Sequence, residues 1–341
     1  MKIGIVGYQG SGKSTLFQWL TGEQPDPALV HKSQSAMATV PEPHVENLCG
    51  IYHPKKITLA ALEMVDTPGL SRSHEGSAAK LAMIREAGCL LFVISAYDGN
   101  DPAADLRNFE DDLLIADLDI VAGRVQRLRE SVKKPRPNRD EQLAELETLL
   151  PVHEVLEKGQ SLLQVEMTPE QQKTIRSFQL FSHKPRLVVI NTSDDVGQTD
   201  RFGSIAPEGT SLFAFSLALE NELAGMDEGD RAEFCREMEV EAFDRDQLIR
   251  QIMDVSGQML FFTAGDKEVR TWMIRRGGTA VEAAENIHTD LARGFIRAET
   301  MNVDDLIRTG SEREMKAQSL VRQEPRDYVI QDGDILLIRH N

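Results

Sequence analysis

No apolar run in the chain is long enough to cross a bilayer: the longest, near Cys89 to Ala96, falls far short of the roughly 20 residues that a spanning helix needs. A basic segment leading into an apolar stretch is also missing from the first residues, so a secretory signal is not expected. Both absences point to a cytoplasmic protein with no membrane partner. Cysteine is scarce, and Cys49, Cys89 and Cys235 are odd in number and far apart, which supports neither a disulfide framework nor a zinc spacing. They read as free thiols. A surplus of basic residues is lacking as well: 38 Lys and Arg against 55 Asp and Glu leave a formal net charge of -17. Non-specific nucleic-acid binding needs cations to displace phosphate counterions, so any contact with RNA has to be local. With 341 residues, 41% of them hydrophobic, the chain can bury sizeable cores and is expected to form two or three domains.

Against these absences stands one dense motif. Residues Gly7-Tyr8-Gln9-Gly10-Ser11-Gly12-Lys13-Ser14 read G-x-x-x-x-G-K-S, after the apolar run Ile3-Gly4-Ile5-Val6 and before the helical pattern Thr15-Leu16-Phe17-Gln18-Trp19-Leu20. A strand, a glycine loop and a helix start coincide there. A loop with few Cβ atoms can wrap its backbone N–H groups around phosphate oxygens, at a helix N-terminus whose dipole favours anions. Residues 7 to 15, from Gly7 to Thr15, are therefore read as binding a nucleotide. Lys13 is expected to reach the β- and γ-phosphates, and Ser14 to place its hydroxyl on Mg²⁺.

About fifty residues on, Ala61-Leu62-Glu63-Met64-Val65 reads as a strand ending in Asp66-Thr67-Pro68-Gly69. That order suits a switch-type NTPase: Asp66 bears on Mg²⁺ through water, and the Gly69 N–H donates to the γ-phosphate. Further apolar runs, Cys89 to Ile94, Arg186 to Asn191 and Leu212 to Phe215, read as buried parallel strands alternating with helices. The fold class expected is an α/β, doubly wound P-loop NTPase sheet. Asn191 and Asp194 occupy the base-reading place after one strand, and Ser216 and Leu217 follow another; all four are assigned to the nucleotide.

From about Asp112 to Ser177 the pattern turns into charged helical repeats, with Lys134-Pro135-Arg136-Pro137-Asn138 as the tip of a helical hairpin. Arg124, Arg127, Arg129, Lys133, Lys134, Arg136 and Arg139 surround that tip, a candidate RNA-binding surface or simply a solvated charged face. After about Gln258 a separate module is expected, with strands near Leu260 to Phe262 and Thr271 to Ile274 and a helix from Ala280 to Ala292. A final hairpin should turn at Gln331-Asp332-Gly333-Asp334, between Tyr328-Val329-Ile330 and Ile335-Leu336-Leu337-Ile338.

Taken together these residues resemble the Obg-like ATPase (YchF) family of translation-factor-related P-loop proteins, through nearly the whole chain. The most specific signatures are Phe262-Thr263-Ala264-Gly265, Lys267-Glu268-Val269-Arg270, Ile287-His288-Thr289-Asp290, Gly294-Phe295-Ile296-Arg297-Ala298-Glu299, and Asp327-Tyr328 with Asp332-Gly333-Asp334. They look like that family's TGS-like, β-grasp domain. Ala116-Asp117-Leu118-Asp119 looks like the opening of its inserted helical domain. The resemblance implies G-domain segments at 1–111 and 178–257, a helical insert at 112–177 and a TGS-like domain at 258–341. It also implies Mg²⁺-dependent hydrolysis of ATP in preference to GTP, slow without a partner, and a ribosome as that partner.

Two departures from the family pattern matter, and one difference from Ras-like enzymes. The family's base-reading motif is usually Asn-x-x-Glu, whereas here Asn191-Thr192-Ser193-Asp194 ends in the aspartate with which guanine-specific relatives accept from N1–H and N2–H₂. The lysine that accompanies that aspartate is missing, so GTP competes with ATP, and Asp194 capping a turn is a third reading. Switch I reads Ser33-Gln34-Ser35-Ala36-Met37-Ala38-Thr39, where Ser33, Ser35 or Thr39 has to supply the hydroxyl. Leu70 stands where Ras-like enzymes orient water with glutamine. His74 in the following loop is the catalytic substitute proposed from sequence, beside Lys13 and Gly69. Arg72 and Arg85 are candidate arginine fingers, and a module that binds nucleotide with little turnover is the alternative to an enzyme.

Overall fold

The computed structural model describes residues 1–72, 77–97, 99–135, 137–193, 202–203, 205–207 and 209–341. Its strands, in chain order, are β1 (Lys2–Val6), β2 (Gln34–Thr39), β3 (Lys56–Thr58), β4 (Ala61–Asp66), β5 (Cys89–Ser95) and β6 (Arg186–Asn191). They continue with β7 (Leu212–Phe215), β8 (Gln258–Ala264), β9 (Glu268–Arg275), β10 (Phe295–Asn302), β11 (Arg322–Glu324) and β12 (Asp334–His340). The first helices are α1 (Lys13–Thr21), α2 (His44–Tyr52), α3 (Ser77–Arg85), α4 (Pro102–Ser131), α5 (Arg139–Glu157), α6 (Pro169–Arg176) and α7 (Leu217–Ala224). Then come α8 (Glu228–Glu237), α9 (Arg245–Val255), α10 (Ala280–Ile287), α11 (Thr289–Arg293), α12 (Val303–Thr309) and α13 (Glu312–Ala317). Contacts divide the chain into two compact units, one of residues 1–36 and 63–243, the other of 37–62 and 244–341.

The first unit is an α/β P-loop fold. Its sheet runs β2-β4-β1-β5-β6-β7, and the pairs β4 with β1, β1 with β5, β5 with β6 and β6 with β7 are parallel. All seven residues of β5 are buried, as a central parallel strand covered on both faces requires. Register places Ile5 opposite Asp66, so β1 and β4 end at the same edge and deliver Gly7 and Thr67 side by side. That edge is where open α/β sheets hold ligands.

The helical insert starts earlier than its charged pattern does. Helix α4 begins at Pro102, with the Asp101 carboxylate accepting from the Ala103 and Ala104 N–H groups, and runs unbroken to Ser131. Its first turns bury Leu106, Phe109 and Leu113 in the sheet core. Farther along the same helix, Val121, Val125 and Leu128 pack with Leu149, Val152 and Leu156 of α5 and Ile175 of α6. Ala116-Asp117-Leu118-Asp119 thus lies within a helix that serves two cores in turn.

In the second unit the sheet order is β11-β10-β12-β8-β9-β3. Val45 and Leu48 of α2 join Phe262, Val269, Met301 and Met315 in one cluster, which ties residues 37–62 to the C-terminal strands. Two sequence expectations are corrected here. The final hairpin does not form: Tyr328 to Ile330 makes only an isolated bridge, Val329 to Thr279, because both edges of β12 are taken, by β10 antiparallel and by β8 parallel. The turn residues close on themselves instead, with Asp334 Oδ2 accepting from Tyr328 Oη at 2.9 Å and from the Gln331 N–H at 3.0 Å. The helix expected over 280 to 292 breaks at His288, which is extended (φ -167, ψ 137) and whose Nδ1 accepts from the Asp290 N–H at 3.2 Å, capping α11.

Candidate nucleotide site

Backbone strain shows why the loop after β1 needs glycine. Gly7 has φ 153, and a Cβ there would lie 2.4 Å from the Val93 carbonyl oxygen; Gly12 has φ 102, and its Cβ would meet Asn191 Nδ2 at 2.4 Å. Both positions are closed to any other residue. Gly12 caps α1 without a side chain, which leaves the first-turn N–H groups facing outward as an anion site. Two main-chain bonds fasten this loop to the one after β4: the Gln9 N–H donates to the Leu70 carbonyl at 2.9 Å and the Leu70 N–H to that of Gly7 at 3.2 Å.

Lys13 is buried, and its ammonium donates to the Tyr8 carbonyl at 2.8 Å. Burial pushes its pKa down to about 8, and the neighbouring Lys80 lowers it further while Asp66 opposes the fall. A pKa there keeps it mostly charged at neutral pH. Ser14 Oγ donates to Asp66 Oδ2 at 2.6 Å, whereas Asp66 Oδ1 is buried with no hydrogen-bond partner among the described residues. Burial raises the Asp66 pKa against the opposing effects of Ser14 and Lys13. An orphaned carboxylate oxygen beside a hydroxyl is a hard-oxygen donor set, which fits Mg²⁺. Ser11 Oγ is likewise buried without a partner.

These groups open on a cavity of about 360 Å³, lined by Gln9, Gly10, Lys13, Ser14, Asp66 and Gly69 among others. Its size lies within the roughly 300–1,000 Å³ of small-molecule pockets. Gly69 could carry no side chain: a Cβ would lie 2.8 Å from both Gln9 Cα and Lys13 Nζ. Thr15 stands in the first turn of α1, and its carbonyl accepts from Asn221 Nδ2 at 3.1 Å.

Other candidates turn out differently. The Tyr8 hydroxyl donates to Asp112 Oδ2 at 3.2 Å and the ring lies edge-on to Phe109 at 5.3 Å, so the side chain takes no part in the cavity. Asn191 acts as a brace: Nδ2 donates to the Ser11 carbonyl at 3.1 Å and Oδ1 accepts from the Leu217 N–H at 3.2 Å. Ser216 caps α7, its Oγ accepting from the Leu219 N–H, and Leu217 is buried. Asp194 and His74 lie outside the described residues, as does Arg136 of the hairpin tip. Leu70 is buried in the sheet core, which takes its side chain away from any water in the site. Arg72 makes a two-pronged pair with Asp105, and Arg85 is half-buried and paired with Asp117, its guanidinium 3.9 Å from the Phe181 ring centre. Neither is a free finger. Ser33 and Ser35 line a separate hollow with Lys2 and Glu86, and Gln34 between them lines both that hollow and the cavity beside Lys13.

Four contributors escaped sequence reading. Lys80 of α3 donates to the Gly69 carbonyl at 2.8 Å, and Tyr97 Oη donates to that of Gly10. Asn221 ties α7 to α1, and Gln34 enters the cavity wall. None sits in a recognisable spacing; only Gln34 lay within a segment already singled out. On the hairpin, Arg124 is held by Glu145 at 2.6 Å, while Arg127, Arg129, Lys133 and Lys134 have no ion-pair partner among the described residues.

Residues 2–123 match a family described as 50S ribosome-binding GTPase, and residues 259–341 match the YchF GTPase C-terminal family, described as a protein of unknown function. The chain is 32% identical to the "Ribosome-binding ATPase YchF" of Haemophilus influenzae, over 100% of this chain and 99% of that protein. It is 33% identical to "Obg-like ATPase 1" of Oryza sativa subsp. japonica, over 100% of this chain and 92% of that one. The solved Schizosaccharomyces pombe YchF GTPase superposes with a TM-score of 0.86 at 26% identity, covering 99% of this chain and 97% of its own.

Proposed function

The chain belongs to the YchF family of P-loop nucleotide hydrolases, and from that premise we propose that it is a Mg²⁺-dependent nucleoside triphosphatase, ATP favoured, acting as a ribosome-associated switch in the cytoplasm. The observation that carries this reading is the cavity holding the Lys13 ammonium beside the Ser14 and Asp66 oxygens, one of them unpartnered. Among the described residues no helix is long and apolar enough to cross a membrane. The printed names of full-length relatives, ribosome-binding ATPase and Obg-like ATPase, support both substrate and partner.

Phosphoryl transfer asks the protein for positioning and charge rather than covalent chemistry. The N–H groups of residues 10 and 12 to 14 cradle the phosphates, Lys13 neutralises the γ-phosphate and the Gly69 N–H donates to it. Mg²⁺, when held by Ser14 and Asp66, supplies further charge neutralisation. Asn191 keeps the loop and the base-side residues in register. The working anatomy has four segments: 1–111 and 178–257 as the G domain, less residues 37–62 and 244–257, whose contacts lie within the C-terminal unit, 112–177 as the helical insert and 258–341 as the TGS-like domain. The insert's separate apolar cluster and the β8 to β12 sheet support it. Arg127, Arg129, Lys133 and Lys134, which have no ion-pair partner among the described residues, are the proposed local RNA contact.

Purified protein with saturating Mg²⁺ and ATP, alone and with ribosomes, is expected to release phosphate slowly. Failure in every condition, with tight binding retained, would leave a nucleotide-gated binding module. Base choice is read from dissociation constants: ATP is expected to bind at least about tenfold tighter than GTP, a difference of about 1.4 kcal/mol. Asp194→Glu should widen that ratio. GTP binding tighter than ATP would favour the second reading, a GTPase, for which the aspartate at 194 is the specific motive.

A further inference from the structure

Three cations lie on the segment that follows Gly69, and they differ in what holds them. Arg72 is engaged by Asp105 and stacked over Tyr8, its guanidinium 5.0 Å from the ring centre. Arg85 is half-buried, bonded to Asp117 at 2.8 Å and against Phe181. Lys80 has no carboxylate within ion-pair distance among the described residues and rests on a neutral acceptor, the Gly69 carbonyl, at 2.8 Å. Lys13, across the same residue, also rests on a neutral acceptor, the Tyr8 carbonyl at 2.8 Å. A Cβ on Gly69 would lie 2.8 Å from Lys13 Nζ, so one ammonium flanks the α-carbon of Gly69 and the other its carbonyl.

Two like charges around one residue are unfavourable until an anion enters between them. The Leu70 side chain is buried, so nothing at that position orients water, and the burden falls on charge. A lysine suits this task because its compact charge sits on a flexible stem that can leave a carbonyl for a nearby phosphate oxygen. We propose that Lys80 is the second cation of the γ-phosphate site, moving from the Gly69 carbonyl onto a γ-phosphate oxygen and opposing the charge that develops there during transfer. The inference rests on the hydrolase reading above and adds to it a group supplied by the chain's own switch helix. It also makes the start of α3 respond to the γ-phosphate, since the ammonium can hold either the carbonyl or the phosphate.

The test uses full-length wild type, Lys80→Ala and Lys80→Arg, with phosphate release at saturating Mg²⁺ and ATP, and dissociation constants for adenylyl imidodiphosphate and for ADP. Lys80→Ala is expected to lower kcat about ten- to a hundredfold. It should weaken the triphosphate analogue about tenfold and leave ADP unchanged, while Lys80→Arg restores most of both. A lysine that merely ties down the carbonyl would instead weaken analogue and ADP equally, and that result overturns the proposal, as does a kcat for Lys80→Ala within twofold of wild type. Wild type that binds the analogue but releases no phosphate sinks the hydrolase reading and leaves the analogue-to-ADP ratio to decide Lys80. Wild type that binds neither nucleotide sinks both.

Discussion

Lys13→Ala is expected to lower kcat/KM for the triphosphate by about 10³-fold while the protein stays folded. The magnitude is that of removing a preorganised charge from a phosphoryl-transfer site. Lys13 is only 7% exposed, and among the described residues its one hydrogen bond is to the Tyr8 carbonyl, so truncation deletes a charge aimed at the ligand and little that holds the fold. Burial works against the ammonium, and Lys80 adds to that, as the fall of its pKa to about 8 reflects. The thermal midpoint without nucleotide should therefore not drop. Phosphate release and analogue binding, with a melting curve as control, check this. Turnover within tenfold of wild type would show that the loop does not grip a triphosphate through this residue.

The second large effect is on stability. Asp117 is fully buried in α4; Oδ1 accepts from Arg85 Nη1 at 2.8 Å, and Oδ2 accepts from the Ser182 N–H and hydroxyl, each at 2.8 Å. Lys184 lies close by, its ammonium held by the Arg85 and Ala87 carbonyls, and Asp117 is among the charges that sustain it. Asp117→Ala strands a mostly buried guanidinium, a buried N–H and a second cation at once. Breaking one partner of a buried pair costs about 3–5 kcal/mol, which for a unit of this size is a fall in Tm of roughly 10 °C. Asp117→Asn, which can still accept from Ser182, should cost less. Urea unfolding followed by tryptophan fluorescence measures both; a loss below about 1 kcal/mol for the alanine variant would refute the account.

Asp117 also illustrates what sequence reading can reach. It stood within a stretch recognised by resemblance, yet its partners are Arg85 on α3 and Ser182 beyond the insert. No periodicity joins those three. Arg85 looked like a finger for the same reason: a basic residue near a switch segment carries no mark of the acid that will meet it. The hairpin expected near Gly333 failed on similar grounds, since turn chemistry was present but the edges of β12 had gone to β10 and β8.

Local chemistry was legible from the chain alone. A glycine loop between an apolar strand and a helix, a strand ending in Asp66-Thr67-Pro68-Gly69, and the fully buried β5 follow from backbone sterics and burial, which act over a few residues. Tertiary structure decided which way side chains point once the strands align. It turned Tyr8 and Leu70 into the core, made Asn191 a brace, and brought Lys80 from the next helix onto Gly69. The physical reason is range: φ/ψ preference and hydrophobic periodicity are written within one segment, whereas the partner of a charge is chosen only when distant segments close upon it.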